Sequence, residues 1–231
     1  MNKLLITLLF SSSLLSSEDV SDPFEDINRL TFQFNESLDK FIAKPTASFY
    51  SKFPSPIKKG VTNVFDNLEE INTSFNQILQ GKPLTALNDI SRFVINSTIG
   101  IGGIFDVGTA LGLKRHEEDF GQTLATWGVP AGPYVMLPVL GPHTLRDLLG
   151  RPVSSFLSVT FHMTESDVNF GLNMIDALET RERLLEVESL LSGDKYYFVR
   201  DSYIQYLDYE IKDGLNIEDN FTDDMDDFLI D

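Results

Sequence analysis

Residues 122–145 read QTLATWGVPAGPYVMLPVLGPHTL, and no Asp, Glu, Lys or Arg lies between Asp119 and Arg146. By length and apolarity this segment could cross a bilayer as one helix. Pro130, Pro133, Pro138 and Pro142 forbid that, because each removes a backbone donor and clashes with the preceding turn. Gly128, Gly132 and Gly141 interrupt it further. Irregular backbone survives at membrane depth only where protein covers it or a wet cavity runs beside it. Two readings stand: a buried loop threading a soluble core, and a loop that meets lipid without spanning. Long loops without structure of their own are usually functional, which favours the second. Gly128–Val129 and Gly132–Pro133 suit tight turns, and Trp127 and Tyr134 suit a headgroup boundary.

The rest of the composition narrows the classes. A chain of 231 residues, 42% hydrophobic and with 18 Phe, can bury a core in one domain or at most two and is not disordered as a whole. A net charge of −17 supplies no basic face for a phosphate backbone, so no nucleic-acid partner is expected. With no cysteine, thiolate metal sites, thiol nucleophiles and disulfides are excluded together. At the N-terminus, Lys3 precedes LLITLLFSSSLLSS and then Glu18 and Asp19. This has the build of a secretory signal peptide over residues 1–17, so the mature protein is expected to be exported.

Helix signals then dominate. Asp22-Pro23 offers an N-cap and a first-turn proline, and Phe24, Ile27, Leu30, Phe34, Leu38 and Phe41 recur at helical spacing until Pro45 is expected to stop the run. A second helix is predicted from Pro56, with Ile57, Val61, Val64, Phe65, Leu68, Ile71, Phe75, Ile78 and Leu79 on one face and Gly81 as its stop. A third runs from Pro83 to about Ile99. The glycine-rich stretch from Gly100 to Leu113 reads as a turn and a short, closely packed helix. Short helical pieces are expected around Thr144–Leu149 and Val153–Phe161, a longer helix over Ser166–Leu191, and a last one over Lys195–Lys212. Few runs alternate with period two, so at most one short hairpin is expected. The fold class is all-α, one helical domain over 18–212, followed by an acidic tail at 213–231 that carries no Lys or Arg. The tail lacks the spacing of a calcium loop; a solvated tail fits it, with Phe221, Met225, Phe228 and Leu229 leaving room for a docking peptide.

Constellations for chemistry are weak. Gly100, Gly102 and Gly103 lack the third glycine of the dinucleotide fingerprint, and close packing explains them. His116, His143 and His162 lie far apart, and His116-Glu117-Glu118-Asp119 reads more simply as a solvated loop before a helix than as a metal site. No G-x-S-x-G elbow is present, although a triad assembled in space stays open. No catalytic residue, metal or cofactor is therefore expected. Arg181, Arg183 and Arg200 read as local helix-surface pairs. Tyr196, Tyr197, Tyr203, Tyr206 and Tyr209 fit either an interfacial belt or ordinary packing.

Four blocks together resemble the MlaA (VacJ) family. They are DPFEDINRLTFQFN (22–35), NLEEINTSFNQILQGKP (67–83), RFVINSTIGIGGIFDVGT (92–109) and EEDFGQTLATWGVPAGPYVMLPVLGPHTLRD (117–147). The last is the most specific, through DFGQTL, GPY, LP and GP-x-T-x-RD at these spacings. The matching motif residues include Asn28, Phe34, Asn35, Asn76, Asp106, Phe120, Gly121, Arg146 and Asp147.

The resemblance implies a ring-shaped helical protein in the inner leaflet of a Gram-negative outer membrane. Such a protein removes phospholipid mislocalised to the outer leaflet and passes it to a soluble periplasmic carrier. It associates with a porin trimer and acts through an amphipathic channel beside a flexible hairpin loop. That channel and loop would map to Trp127, Gly128, Gly132, Pro133, Tyr134, Leu137 and Pro138, with Gly128 and Gly132 at the hinge. Family members are commonly lipoproteins, whereas this chain has no cysteine to acylate, so its own apolar surface or a partner must anchor it. Gln33-Phe34-Asn35 also departs mildly from the more usual Asn-Phe-Asn.

Overall fold

The computed structural model describes residues 20–157, 174–175, 177–182, 185 and 193–212. The signal-peptide reading and the acidic tail lie outside the described residues, as does most of the helix expected over Ser166–Leu191. In chain order the elements are α1 (Glu25–Leu38), a π-helical turn (Asp39–Ala43), α2 (Lys44–Tyr50), α3 (Ser55–Leu79), α4 (Pro83–Thr98), α5 (Val107–Ala110) and α6 (Phe120–Thr126). A hairpin of β1 (Tyr134–Leu137) and β2 (Gly141–Thr144) follows, then α7 (Leu145–Leu157) and α8 (Lys195–Ile211). The protein is all-α apart from this hairpin, which falls inside the uncharged segment.

Three local expectations are corrected. Phe24, not Asp22, occupies the N-cap of α1, without a side-chain cap; the Asp22 carboxylate instead accepts from Asn28 Nδ2 at 2.8 Å and from the Tyr196 hydroxyl. Pro45 does not end the first helical run. The π turn lets the Lys44 amide reach back to Asp39 O, and Pro45 then falls in the first turn of α2, where no intrahelical donor is needed. Finally, the two pieces expected after the hairpin form a single helix, α7, that runs through Pro152. Its start is a reciprocal cap: Thr144 N donates to Asp147 Oδ2 at 3.1 Å and Asp147 N donates to Thr144 Oγ1 at 3.2 Å.

The apolar stripes predicted for the long helices are present, but they face outward. On α4 the buried positions are Ala86, Asp89, Arg92 and Asn96, at helical spacing, whereas Leu84 is 82% exposed and Leu87, Ile90 and Val94 are exposed beside it. On α3 the buried residues are Asn67, Glu70, Thr73, Ser74, Asn76 and Gln77, while Ile57, Phe75 and Ile78 face out. Phe41 at 75% exposed, with Ile27, Leu30, Phe34 and Ile42, continues the apolar exterior along α1 and the π turn. An exterior this apolar exceeds the scattered hydrophobics of an ordinary water-facing surface. Among the described residues, no helix is long and apolar enough to cross a membrane.

A polar interior is tolerable only when its groups are hydrogen-bonded. Arg92 organises it. Its Nε donates to Glu70 Oε1 at 2.7 Å, with both side chains 1% exposed. Nη1 donates to Leu113 O at 2.7 Å and Thr109 Oγ1 at 2.9 Å, and Nη2 reaches Asp106 Oδ1 at 3.2 Å. Asp106 is also the N-cap of α5, accepting from Thr109 N. Gly108 makes room for the guanidinium, since a Cβ there would lie 3.1 Å from Arg92 Cγ. Gln77 donates to Asp89, and Asp89 also faces His116 Nδ1 at 2.9 Å. Burial pushes the Glu70 carboxyl up to about 7 despite the opposing pull of Arg92.

Arg92→Leu leaves Glu70 buried without its cation and should cost about 3–5 kcal/mol. Thermal unfolding in detergent is expected to show this as a large fall in Tm. Arg92→Lys should recover only part of it, because an ammonium cannot reproduce the fork; equal stability of the lysine variant and wild type would refute the account.

Candidate functional site

The hairpin is built on backbone pairing of Tyr134 with Thr144, Val135 with His143, Met136 with Pro142 and Leu137 with Gly141. Pro142 is accommodated because a two-stranded hairpin is all edge. At its tip, Leu140 N donates to Pro138 O at 2.8 Å, across a Val139 held at φ 69°. Val139 and Leu140 are both exposed, so the tip is apolar and faces outward.

Two asparagines of α1 hold strand β1 as a neighbouring strand would. Asn28 Nδ2 donates to Tyr134 O at 3.1 Å, and Met136 N donates to Asn28 Oδ1 at 2.9 Å. Seven residues on, Asn35 Nδ2 donates to Leu137 O at 2.9 Å and Val139 N donates to Asn35 Oδ1 at 2.8 Å. Two helical turns separate these asparagines, which lets one face of α1 read successive backbone groups of an extended strand. Phe34 lies between them in sequence and is exposed.

The inner side of the hairpin carries a small apolar core: Tyr134, Met136 and Tyr196, with Phe32, Val199 and Tyr203 packed against it. Tyr134 meets Tyr196 and Tyr203 with ring centroids 6.3 and 6.1 Å apart. The Tyr203 hydroxyl accepts from Thr144 N and donates to Asp147, fastening α8 to the start of α7; burial and the Asp147 charge push its pKa up. Tyr197, Tyr206 and Tyr209 are exposed, so the five tyrosines divide between packing and surface. Arg29 sits 4.5 Å from the ring centres of both Tyr196 and Tyr197. Arg181 and Arg200 are not the helical-spacing pairs expected. Arg181 clasps Asp39 with Nε–Oδ1 at 2.5 Å and Nη2–Oδ2 at 2.8 Å, and Arg200 pairs with its neighbour Asp201 and approaches Asp22. Arg183 lies outside the described residues.

The other motif residues sit where α6 meets α3 and α7. Asn76 Oδ1 accepts from Thr123 Oγ1 at 2.9 Å. The Phe120 amide donates to Ser154 Oγ. A Cβ on Gly121 would lie 2.8 Å from Asp147 Oδ1, so the α6–α7 contact needs its absence. Arg146 is buried, with Nη1 donating to Val129 O at 3.0 Å. The loop expected to be solvated before α6 is partly buried instead. Glu118 is only 7% exposed and binds Lys82 at 3.0 Å, His116 faces Asp89, and Asp119 caps α6 through Gln122 N.

Between α1, the hairpin and α8 opens a cavity of about 990 Å³. One wall is a polar stripe down α1 into α2: Gln33, Glu36, Ser37, Lys40 and Lys44. The apolar lining comes from Met136 and Pro142 of the hairpin, from Phe198 and Val199 of α8, and from Phe32, which lies beside Gln33 on α1. Arg181 and Lys195 close the remaining sides. The size is at the upper end of small-molecule pockets, and the two faces suit a molecule with a polar and an apolar end.

Of the loop residues singled out in the sequence, none lines this cavity; the hairpin reaches it through Met136, Gly141 and Pro142. Trp127 instead joins α6 to α3, donating from Nε1 to Leu79 O at 3.1 Å, with its ring edge-on to Phe120. Gly128, at φ 84°, ends α6: its amide donates to Ala125 O and that of Val129 to Leu124 O. Gly132, at φ 72°, lies against Leu145, whose Cβ would be 3.1 Å from a new Cβ. Pro133 O accepts from Leu145 N, Tyr134 is buried, Leu137 O is bound by Asn35, and Pro138 begins the tip. The sequence offered no alternation in Tyr134–Leu137 to single out Met136, whereas the helical spacing of Gln33, Ser37, Lys40 and Lys44 was an available signal for the polar wall.

Asn28→Ala would strip a buried strand of two hydrogen bonds, at about 1–3 kcal/mol for the group left unsatisfied. The same holds for Asn35→Ala at the tip. Amide exchange over residues 134–144 is expected to accelerate in both variants, while exchange in α3 and α4 stays unchanged. Unaltered exchange in the hairpin would show that these asparagines do not hold it.

Comparison with known proteins agrees with this architecture. The family model described as MlaA lipoprotein matches residues 20–210. The chain is 36% identical over 211 residues to the intermembrane phospholipid transport system lipoprotein MlaA of Escherichia coli, covering 88% of this chain and 84% of that one. Its identity to the Haemophilus influenzae protein of the same name is 31% over 208 residues, covering 86% and 82%. A solved structure described as "Structural basis for maintenance of bacterial outer membrane lipid asymmetry" superposes with a TM-score of 0.75 at 36% identity, over 83% of this chain and 99% of that one. This chain therefore belongs to the MlaA lipoprotein family.

Proposed function

We propose that this protein moves phospholipid without chemically altering it. Seated in the inner leaflet of an outer membrane, it takes misplaced lipid from the outer leaflet and delivers it to a soluble periplasmic carrier. The observation that carries the reading is the inverted distribution of polarity: apolar helix faces outward, hydrogen-bonded polar faces inward, and an amphipathic cavity beside the hairpin. Each acyl CH₂ exposed to water costs roughly 0.8 kcal/mol, so two full chains in solvent would cost on the order of 20 kcal/mol. A route therefore needs an apolar wall for the tails and a polar wall for the headgroup, whose buried charge would otherwise be costlier still. The cavity has both. Membership of a family whose named relatives serve intermembrane phospholipid transport supports the same reading. A porin trimer is the proposed neighbour in the membrane.

The sequence has no cysteine to acylate, so the apolar exterior or a partner supplies the anchorage, and the exposed apolar helix faces support the first. After membrane fractionation and an alkaline carbonate wash, the protein is expected to stay with the membrane. Release of the whole population would refute self-anchoring. Loss of the gene should raise outer-leaflet phospholipid, and the pure protein should return labelled phospholipid uncleaved; cleavage products would favour a lipid hydrolase instead.

Gly128 and Gly132 separate gating from folding in that assay. Both have left-handed backbone that a valine adopts only at a cost of roughly 1 kcal/mol or more. A new side chain meets nothing at Gly128, whereas at Gly132 it also presses on Leu145. Gly128→Val and Gly132→Val should leave abundant, membrane-bound protein with altered outer-leaflet lipid, the larger change at Gly132. Wild-type lipid asymmetry in both would remove the hinge role, and loss of both from the membrane would assign them to packing.

A further inference from the structure

We propose that the cavity between α1, the hairpin and α8 holds a lipid by its phosphate at Lys40, and that it selects net-anionic over zwitterionic headgroups. This rests on the transport reading and names the substrate class of that site. The chain as a whole is strongly acidic at −17, yet among the described residues the cavity lining carries Lys40, Lys44, Arg181 and Lys195 against Glu36 and Asp39. A concave surface with an excess of one charge sign beside apolar lining concentrates its potential on whatever enters.

The cations are not equivalent. Arg181 is held in a two-point clasp by Asp39. Lys195 Nζ lies 3.1 Å from Glu36 Oε1, and about half of each side chain is open to solvent. Lys44 has a partner of its own. Lys40 has no carboxylate partner among the described residues; its ammonium lies 5.9 Å from the centre of the Phe41 ring. It stands four residues from both Glu36 and Lys44 on the polar wall, and Met136 of the hairpin with Phe198 and Val199 of α8 line the same cavity. A phosphate at Lys40 would complete the charge there while the acyl chains lie against the apolar wall. Because Glu36 is engaged by Lys195, the site has little to offer a headgroup ammonium, which is why the preference is for net-anionic lipid.

The test uses the purified full chain in a non-ionic detergent, titrated with short-chain phosphatidylglycerol and phosphatidylcholine, with glycerol phosphate and uncharged diacylglycerol as controls. Wild type is expected to bind phosphatidylglycerol roughly three- to tenfold tighter than phosphatidylcholine, with the difference shrinking in high salt. Lys40→Gln should abolish the difference without weakening diacylglycerol binding, and Lys59→Gln, outside the cavity, should change neither. Glycerol phosphate alone should bind far more weakly than the lipid; equal binding would make this a free-phosphate site and overturn the lipid assignment. Equal affinity for both headgroups in wild type, or a preference that survives Lys40→Gln, would overturn the headgroup site and leave lipid transport standing. Failure to bind any lipid or diacylglycerol would overturn both.

Discussion

Everything in this structure follows from one constraint: the long helices turn their apolar faces outward, so the interior they enclose is polar. A soluble protein buries hydrophobic area and leaves polar groups to water. Here α3 and α4 meet through Glu70, Gln77, Asp89 and Arg92, so polar pairing carries much of their contact. Their contact depends on directional bonds among groups that would each be costly if left unpaired. That makes the interior specific rather than merely cohesive. A guanidinium bonded to Glu70, Asp106, Thr109 and the Leu113 carbonyl fixes α4 against α3 and α5 in one arrangement.

The same inversion explains how the uncharged segment is used. With four prolines it cannot satisfy its own backbone as a helix, so its polar groups must be met from elsewhere. The hairpin pairs some of them internally, and α6 takes others. Asn28 and Asn35 meet much of the rest on the α1 side, and the Tyr134 amide reaches Ser21 O. Within the hairpin, the apolar tip at Val139 and Leu140 faces out. An asparagine suits this task because its amide presents one donor and one acceptor in the same order as a peptide unit.

Much of this was legible in the sequence, and what was not has a physical reason. Helical spacing located α3 and α4 to within a residue or two, because period is a local property of the chain. Direction is not local. Ile78 and Leu84 sit on a stripe whether that stripe meets a core or a lipid, and only the polar partners Glu70 and Arg92, 22 residues apart, decide which. One short hairpin was allowed for, and the family resemblance put a hairpin loop in the uncharged segment. Its strand positions were not legible, because the strands are four residues each and Pro142 reads as a breaker until a partner strand is known. Motif resemblance pointed to Asn28, Asn35 and Asp147 without supplying their work, which is tethering and capping. The cavity was the least legible, because its walls come from residues as distant as Phe32 and Val199.

Polarity also decides how such a cavity can work. A wholly apolar groove would retain acyl chains but exclude the headgroup, and a wholly polar one would do the reverse. With Gln33, Ser37 and Lys40 in the same cavity as Met136 and Phe198, both ends of a lipid on the proposed route would stay solvated by protein along one path. The apolar wall is partly the hairpin itself, through Met136 and Pro142, so its position sets the width of that path. Asn28 and Asn35 belong to the same helix as the polar wall. The bonds that hold the hairpin therefore also fix its spacing from the polar stripe, and on the proposed route a change in either asparagine would be felt by headgroup and tail together.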